Sequence, residues 1–132
     1  MKGTYILIIY MKKKIHISIG SLGTIQFRKG FYFYVGSAMG NSGSTTLLNR
    51  IKRHVAPPEK KKVYWHIDYL LHDENSLIIK IYLIPSAQRL ECIISHELRS
   101  ISDDLIKDFG SSDCNCKSHL LYFKSLENTF FE

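Results

Sequence analysis

Gly3-Thr4-Tyr5-Ile6-Leu7-Ile8-Ile9-Tyr10 and Phe31-Tyr32-Phe33-Tyr34-Val35-Gly36 are the two stretches that decide the fold. Both are dense in β-branched and aromatic residues, which fit a pleated, packed surface. Thr4–Tyr10 is expected as a buried strand, and Phe31–Val35 as an aromatic strand that stops at Gly36. Between them, Lys14–Ile19 alternates Lys, Ile, His, Ile, Ser, Ile. That period of two predicts a half-buried strand pairing back on the first through a Lys-rich turn. Gly20-Ser21-Leu22-Gly23 reads as a turn and Thr24–Phe27 as a further short strand.

Beyond the second stretch comes a small-residue loop, and then Leu47, Leu48, Ile51 and Val55 at helical spacing. Thr45 or Thr46 is placed to cap that helix, and Pro57-Pro58 to end it. Trp65–Leu71 reads as a short helix and Ser76–Ile84 as a strand. Pro85 is expected to open a helix from Ser86 to about Leu98. Asp108–Ser118 reads as a polar loop and Leu120–Phe123 as a last strand. Strands and helices are mixed without strict β-α-β alternation, so the expected class is α+β. One domain over 1–125 is expected, with a loose tail at 126–132.

The chain has 132 residues, 45% of them hydrophobic, enough to pack a core and too many for a disordered chain. The longest apolar runs, Tyr5–Met11 and Leu77–Ile84 (broken by Lys80), fall short of the roughly 18 residues a membrane helix needs. No secretory signal is visible, and no membrane partner is expected. Three cysteines, Cys92, Cys114 and Cys116, are an odd number and predict a reducing, cytoplasmic compartment rather than a disulfide scaffold. A net charge of +6 favours an anionic partner such as nucleic acid; a solvated basic surface explains it equally well.

Arg50 and His54 are four apart and project from one helix face, with Arg53 one step round. Hydrolysis of a phosphodiester by in-line water needs a proton acceptor, a cation for the non-bridging oxygens, and help for the leaving oxygen. Arginine supplies a permanent planar cation, and histidine can share a proton. A tyrosine can be the base only where a cation or metal lowers its pKa from about 10. Taken singly, strand tyrosines read as packing residues and helix arginines as solvated ones.

Gly3-Thr4-Tyr5, then Tyr34-Val35-Gly36-Ser37-Ala38, then Leu48-Asn49-Arg50-Ile51 on a helix resemble, in that order, the GIY-YIG nuclease family. The resemblance covers roughly residues 3 to 98. It implies a small central antiparallel sheet flanked by helices, with an extra hairpin here between the two motif strands. It implies catalytic roles for Tyr5, Tyr34, Arg50, His54 and Glu91, with Glu91 anchoring one divalent metal, Mg²⁺ or Mn²⁺. Trp65-His66-Ile67-Asp68-Tyr69-Leu70-Leu71, Glu91-Cys92 and the segment Phe109–Leu120 resemble a prokaryotic branch of that family whose biological role is unassigned. His66 and Asp68 are additional site candidates; pairing of His66 with Asp68 or Asp113 to fix the fold is the competing reading.

Cys114, Cys116 and His119 form C-x-C-x-x-H, with Cys92 as a fourth candidate zinc ligand. Zinc sites usually space their cysteines by two residues or more, so packing is preferred to zinc here. A basic stripe of Lys52, Arg53, Lys60, Lys61 and Lys62 is expected to contact the DNA backbone rather than read bases. The implied function is a metal-dependent endonuclease on DNA, including branched or damaged DNA, working beside a targeting or repair partner. The alternative is a non-catalytic nucleic-acid-binding module that keeps the nuclease fold.

Overall fold

The strand β1 (Gly3–Met11) is the axis of the molecule, and it is paired along its whole length on both edges. On one side lies β4 (Gly30–Ala38), antiparallel, with Gly3 opposite Ala38 and Met11 opposite Gly30. On the other lies β5 (Ser76–Pro85), with a register shift between Ile8 and Ile9. β6 (Asp104–Leu105) and β7 (Leu120–Phe123) complete a five-stranded antiparallel sheet in the order β5-β1-β4-β7-β6. With three α-helices, α1 (Leu47–Val55), α2 (His66–His72) and α3 (Glu91–Ile101), the fold is α+β. The structure is a computed structural model and describes residues 1–111, 116–127 and 129.

Alternation along the strands sorts two cores onto the two faces of the sheet. Tyr5, Leu7, Ile9 and Met11 of β1 and Tyr32 and Tyr34 of β4 point to one face, where Leu47 of α1 and Ile67 and Leu70 of α2 cover them. Ile6, Ile8, Phe33 and Val35 point to the other face, where Leu98 and Ile94 of α3 pack. The candidate tyrosines therefore face α1 and α2, and Glu91 enters from the first turn of α3.

Three expectations are corrected. β2 (Ile15–Ser18) does not pair back on β1; it pairs with β3 (Thr24–Phe27) as a separate two-stranded sheet, because both edges of β1 are already taken. β4 does not stop at Gly36 but runs through it to Ala38. Pro85 closes β5 instead of opening a helix, and α3 begins five residues later than expected, at Glu91. In between, Ser86 donates its N–H to the Lys2 carbonyl and its Oγ accepts from Gln88 N–H, which ties the segment down as a turn. Of the expected tail, Leu126 packs against the core on the α3 face; residues 128 and 130–132 lie outside the described residues.

Candidate functional site

Tyr5 stands in β1 opposite Gly36 of β4, and the Tyr5 ring lies across that glycine. A Cβ at Gly36 would collide with the Tyr5 Cζ and hydroxyl. The glycine is therefore the space that lets the phenol reach over the neighbouring strand. Two residues earlier in β4, Tyr34 points to the same face, its ring centroid 6.3 Å from that of Tyr5. Thr46 caps α1 by accepting from Asn49 N–H, and this helix brings His54 and Arg50 over the same patch. The Tyr5 hydroxyl lies 2.7 Å from His54 Nε2 in a buried contact.

Tyr5, Tyr34, Arg50, Trp65, His66 and Glu91 line one cavity of about 720 Å³. His54 sits just behind it, on the far side of the Tyr5 hydroxyl. Four of the five residues that the resemblance implies thus share a cavity wall, and the fifth touches one of the four.

Arg50 reaches this cavity across the indole of Trp65, with Cζ 4.5 Å from the ring centroid, and donates weakly to the Ser37 carbonyl at 3.4 Å. Its Nε is buried without a hydrogen-bond partner among the described residues. A buried donor left unpaired is costly; the Arg50 side chain as a whole lines the cavity, where its guanidinium can pair with an anionic oxygen. Arg53 also lies 4.5 Å from the Trp65 centroid, but its guanidinium is bound twice to Asp68, at 2.7 and 3.0 Å, and once to the Lys62 carbonyl.

Burial sets the protonation of the cluster. It raises Tyr5 and Tyr34 well above the ordinary phenol value; Arg50 opposes that rise, and Glu91 and Asp68 add to it. Both phenols hold their protons at neutral pH. Burial also lowers His54 to about 3, helped by Lys61, Arg53 and Arg50 and opposed by Asp68, so the imidazole is neutral. A neutral ring carries one lone pair able to accept a proton.

Glu91 is buried at the first turn of α3. Arg89 Nη1 is 3.2 Å from Oε1, and His119 Nδ1 is 3.9 Å from Oε2. One oriented carboxylate on a cavity wall suits a hard divalent cation, which completes its shell with waters and a substrate oxygen.

The other candidates divide. Asp68 is not at the cavity. Its carboxylate accepts from Tyr64 and Trp65 N–H and pairs with Arg53, so it starts α2 and ties it to α1. Burial alone would raise the Asp68 carboxyl, but these partners hold it below the ordinary value. His66 does line the cavity; its Nδ1 accepts from Gly110 N–H at 2.9 Å, and burial lowers its pKa. Its partner is thus a backbone amide rather than Asp68; Asp113 lies outside the described residues. Lys61 donates to the Arg53 and His54 carbonyls and closes the C-terminal end of α1. Lys52, Lys60 and Lys62 are exposed.

Sequence reasoning gave three residues no role in this cleft. Trp65 is the plate on which both guanidinium groups rest. Phe109, in a segment read as polar loop, is fully buried and packs on the rings of Tyr34 and His66. His119 faces Glu91. The Phe109–Leu120 segment was visible as a motif, but its contacts with Tyr34 and Glu91 span long stretches of chain that no local pattern reports.

The cysteine expectation also changes. Cys92 and Cys116 are joined as a disulfide rather than left as separate thiols. Together with His119 they form a group that could hold a metal ion, all donor atoms lying within 4.8 Å of one another. Cys114, the other sequence-predicted ligand, lies outside the described residues.

Fold and site together define a small α+β domain with a cleft walled by tyrosines, an arginine and a carboxylate. The model of the family described as Domain of unknown function DUF123 matches residues 4–132, and the chain belongs to that family. No curated protein and no solved structure matches the chain.

Proposed function

We propose that the cleft hydrolyses phosphodiester bonds in DNA as a metal-dependent endonuclease of the GIY-YIG type. The observation that carries this reading is the convergence of Tyr5, Tyr34, Arg50 and Glu91 on one cavity, with the Arg50 side chain forming part of its wall. An incoming phosphate oxygen pairs with the Arg50 guanidinium, which offsets charge that builds on the non-bridging oxygens.

Water then attacks phosphorus in line. A phenol raised by burial is a poor base alone. The Tyr5–His54 contact answers this: Tyr5 takes the water's proton while passing its own hydroxyl proton to the neutral Nε2. Tyr34 borders the same water position and fixes the Tyr5 ring. Glu91 is the residue that would hold Mg²⁺ or Mn²⁺, which when bound supplies positive charge to the departing oxygen. Arg89 and His119 keep that carboxylate aimed. Exposed Lys52, Lys60 and Lys62 supply backbone contacts, so affinity falls as salt rises.

A panel of labelled plasmid, flap and junction DNAs with matching RNAs, incubated with and without Mg²⁺ or Mn²⁺, tests the reading. Cleavage of a DNA member only with the metal is the expected result. Salt-sensitive binding without cleavage of any member would favour the non-catalytic module instead.

A further inference from the structure

On the opposite side of Glu91 from the tyrosines, α3 turns Cys92 toward the segment that leads into β7. Three donors meet there: the sulfurs of Cys92 and Cys116 and the Nε2 of His119, which is 3.9 Å from the Cys92 sulfur. We propose that, with the two thiols reduced, this cluster is a zinc site in which three side chains hold the ion and water completes the tetrahedron. The inference does not depend on what the tyrosine cleft cuts.

Four observations support it. First, one donor pair already stands at the right spacing, and reduction frees the two sulfurs, bonded to each other here, to part. Ligands about 2.0 to 2.3 Å from a tetrahedral zinc stand roughly 3.5 to 3.8 Å from one another, close to the sulfur–nitrogen distance found here.

Second, a disulfide needs no third donor, yet the His119 ring is delivered to the sulfurs by a rigid frame. Its N–H donates to the Phe109 carbonyl and its carbonyl accepts from Val35 N–H, at 2.8 and 3.0 Å. The side chain is almost wholly buried.

Third, the two ring nitrogens face different partners: Nε2 the sulfur, Nδ1 the Glu91 carboxylate at 3.9 Å. A metal-bound histidine whose other nitrogen turns to a carboxylate is the usual outer arrangement of zinc sites. Fourth, Cys92 and Cys116 open onto a cavity of about 530 Å³ whose wall includes Ser95. The Ser95 hydroxyl is buried and has no hydrogen-bond partner among the described residues. Thiolates made by zinc binding are acceptors that such a hydroxyl can serve.

On binding, each thiol releases its proton and gives its lone pair to zinc; the imidazole binds neutral through Nε2. Oxidation to the disulfide removes both thiolates and excludes the ion; a phosphine or thiol reductant restores them. The zinc then ties the start of α3 to the segment ahead of β7 and, through His119 Nδ1, holds Glu91.

The test uses the full chain, kept under a phosphine reductant. Equimolar zinc is expected by elemental analysis, and replacement by Co²⁺ should give thiolate-to-cobalt charge-transfer bands with the d–d absorption of a tetrahedral site. Cys92→Ser and Cys116→Ser should each reduce the zinc to background. If either variant fails to fold, alkylation of the wild-type chain decides instead: zinc should protect Cys92 and Cys116, and chelation should expose them. A reduced chain without zinc and without cobalt bands would overturn the site. So would zinc retained in both variants, or the two cysteines alkylated equally with and without the metal.

Discussion

Arg50 and Arg53 sit one turn apart on α1, and both lie 4.5 Å from the centre of the same indole, yet they belong to different regions. Arg53 is closed into the junction of α1 and α2, bound twice to a carboxylate whose side chain has no solvent exposure. Arg50 lines the cleft with Nε unpaired. The same residue type on the same ring is a structural tie in one case and an available cation in the other. What separates them is whether the fold supplies an anion. Asp68 supplies one to Arg53; for Arg50 the described residues supply none, and on the proposed reading the substrate is the anion.

The largest effect is expected where that tie is cut. Arg53→Ala leaves the buried Asp68 carboxylate with two backbone N–H donors but no counter-ion, which should lower stability by about 3 to 5 kcal/mol in urea unfolding. Loss of less than about 1 kcal/mol would place Arg53 with the solvated arginines. Arg50→Ala should do the opposite, leaving unfolding little changed and slowing cleavage about 100- to 1,000-fold. Equal cleavage rates in this variant and the wild type would erase the contrast.

Gly36→Ala tests the cleft side of the contrast, where the Tyr5 ring lies over the glycine. The added methyl meets the Tyr5 ring, so the phenol must shift. Stability should fall by about 1 to 3 kcal/mol, as for other overpacked sites, and cleavage should fall with it.

His54 offers a pH reading. Its folded pKa is lowered to about 3 from 6.5, so the unfolded chain binds the extra proton first. Stability is therefore complete above about pH 6.5 and declines as pH falls toward 3, by at most about 1.4 kcal/mol per pH unit from this group. His66 is lowered too and adds in the same direction. The slope of stability between pH 6 and about 4.5 should be shallower in His54→Gln; an unchanged slope would remove His54 from the buried neutral set. The smallest effect belongs to the exposed Arg28–Asp104 pair, where Asp104→Asn should change stability by less than about 1 kcal/mol.

Much of this was legible along the chain because it is local. The residue types of β1 and β4, the Thr46 cap and the Leu47–Val55 spacing needed no partner to be read. The motif order singled out Tyr5, Tyr34, Arg50 and Glu91, which share the cleft. What stayed hidden depends on competition or distance. β2 turned to β3 because β5, arriving sixty residues later, holds the other edge of β1. Asp68 reads as a site carboxylate until Arg53, fifteen residues away, claims it. The approach of Cys92 to Cys116 spans 24 residues, and the unusual local spacing of Cys114 and Cys116 carries no trace of it. The start of α3 was misplaced because Pro85 suits a helix start as well as a strand end.

Glu91→Gln keeps the shape of the side chain and removes its charge, so cleavage and binding of one labelled DNA, read from the same samples in Mg²⁺, test the cleft most directly. Binding retained with cleavage lost is the predicted result. A variant that cuts as fast as the wild type would contradict the assignment of the cleft as a metal-dependent nuclease centre.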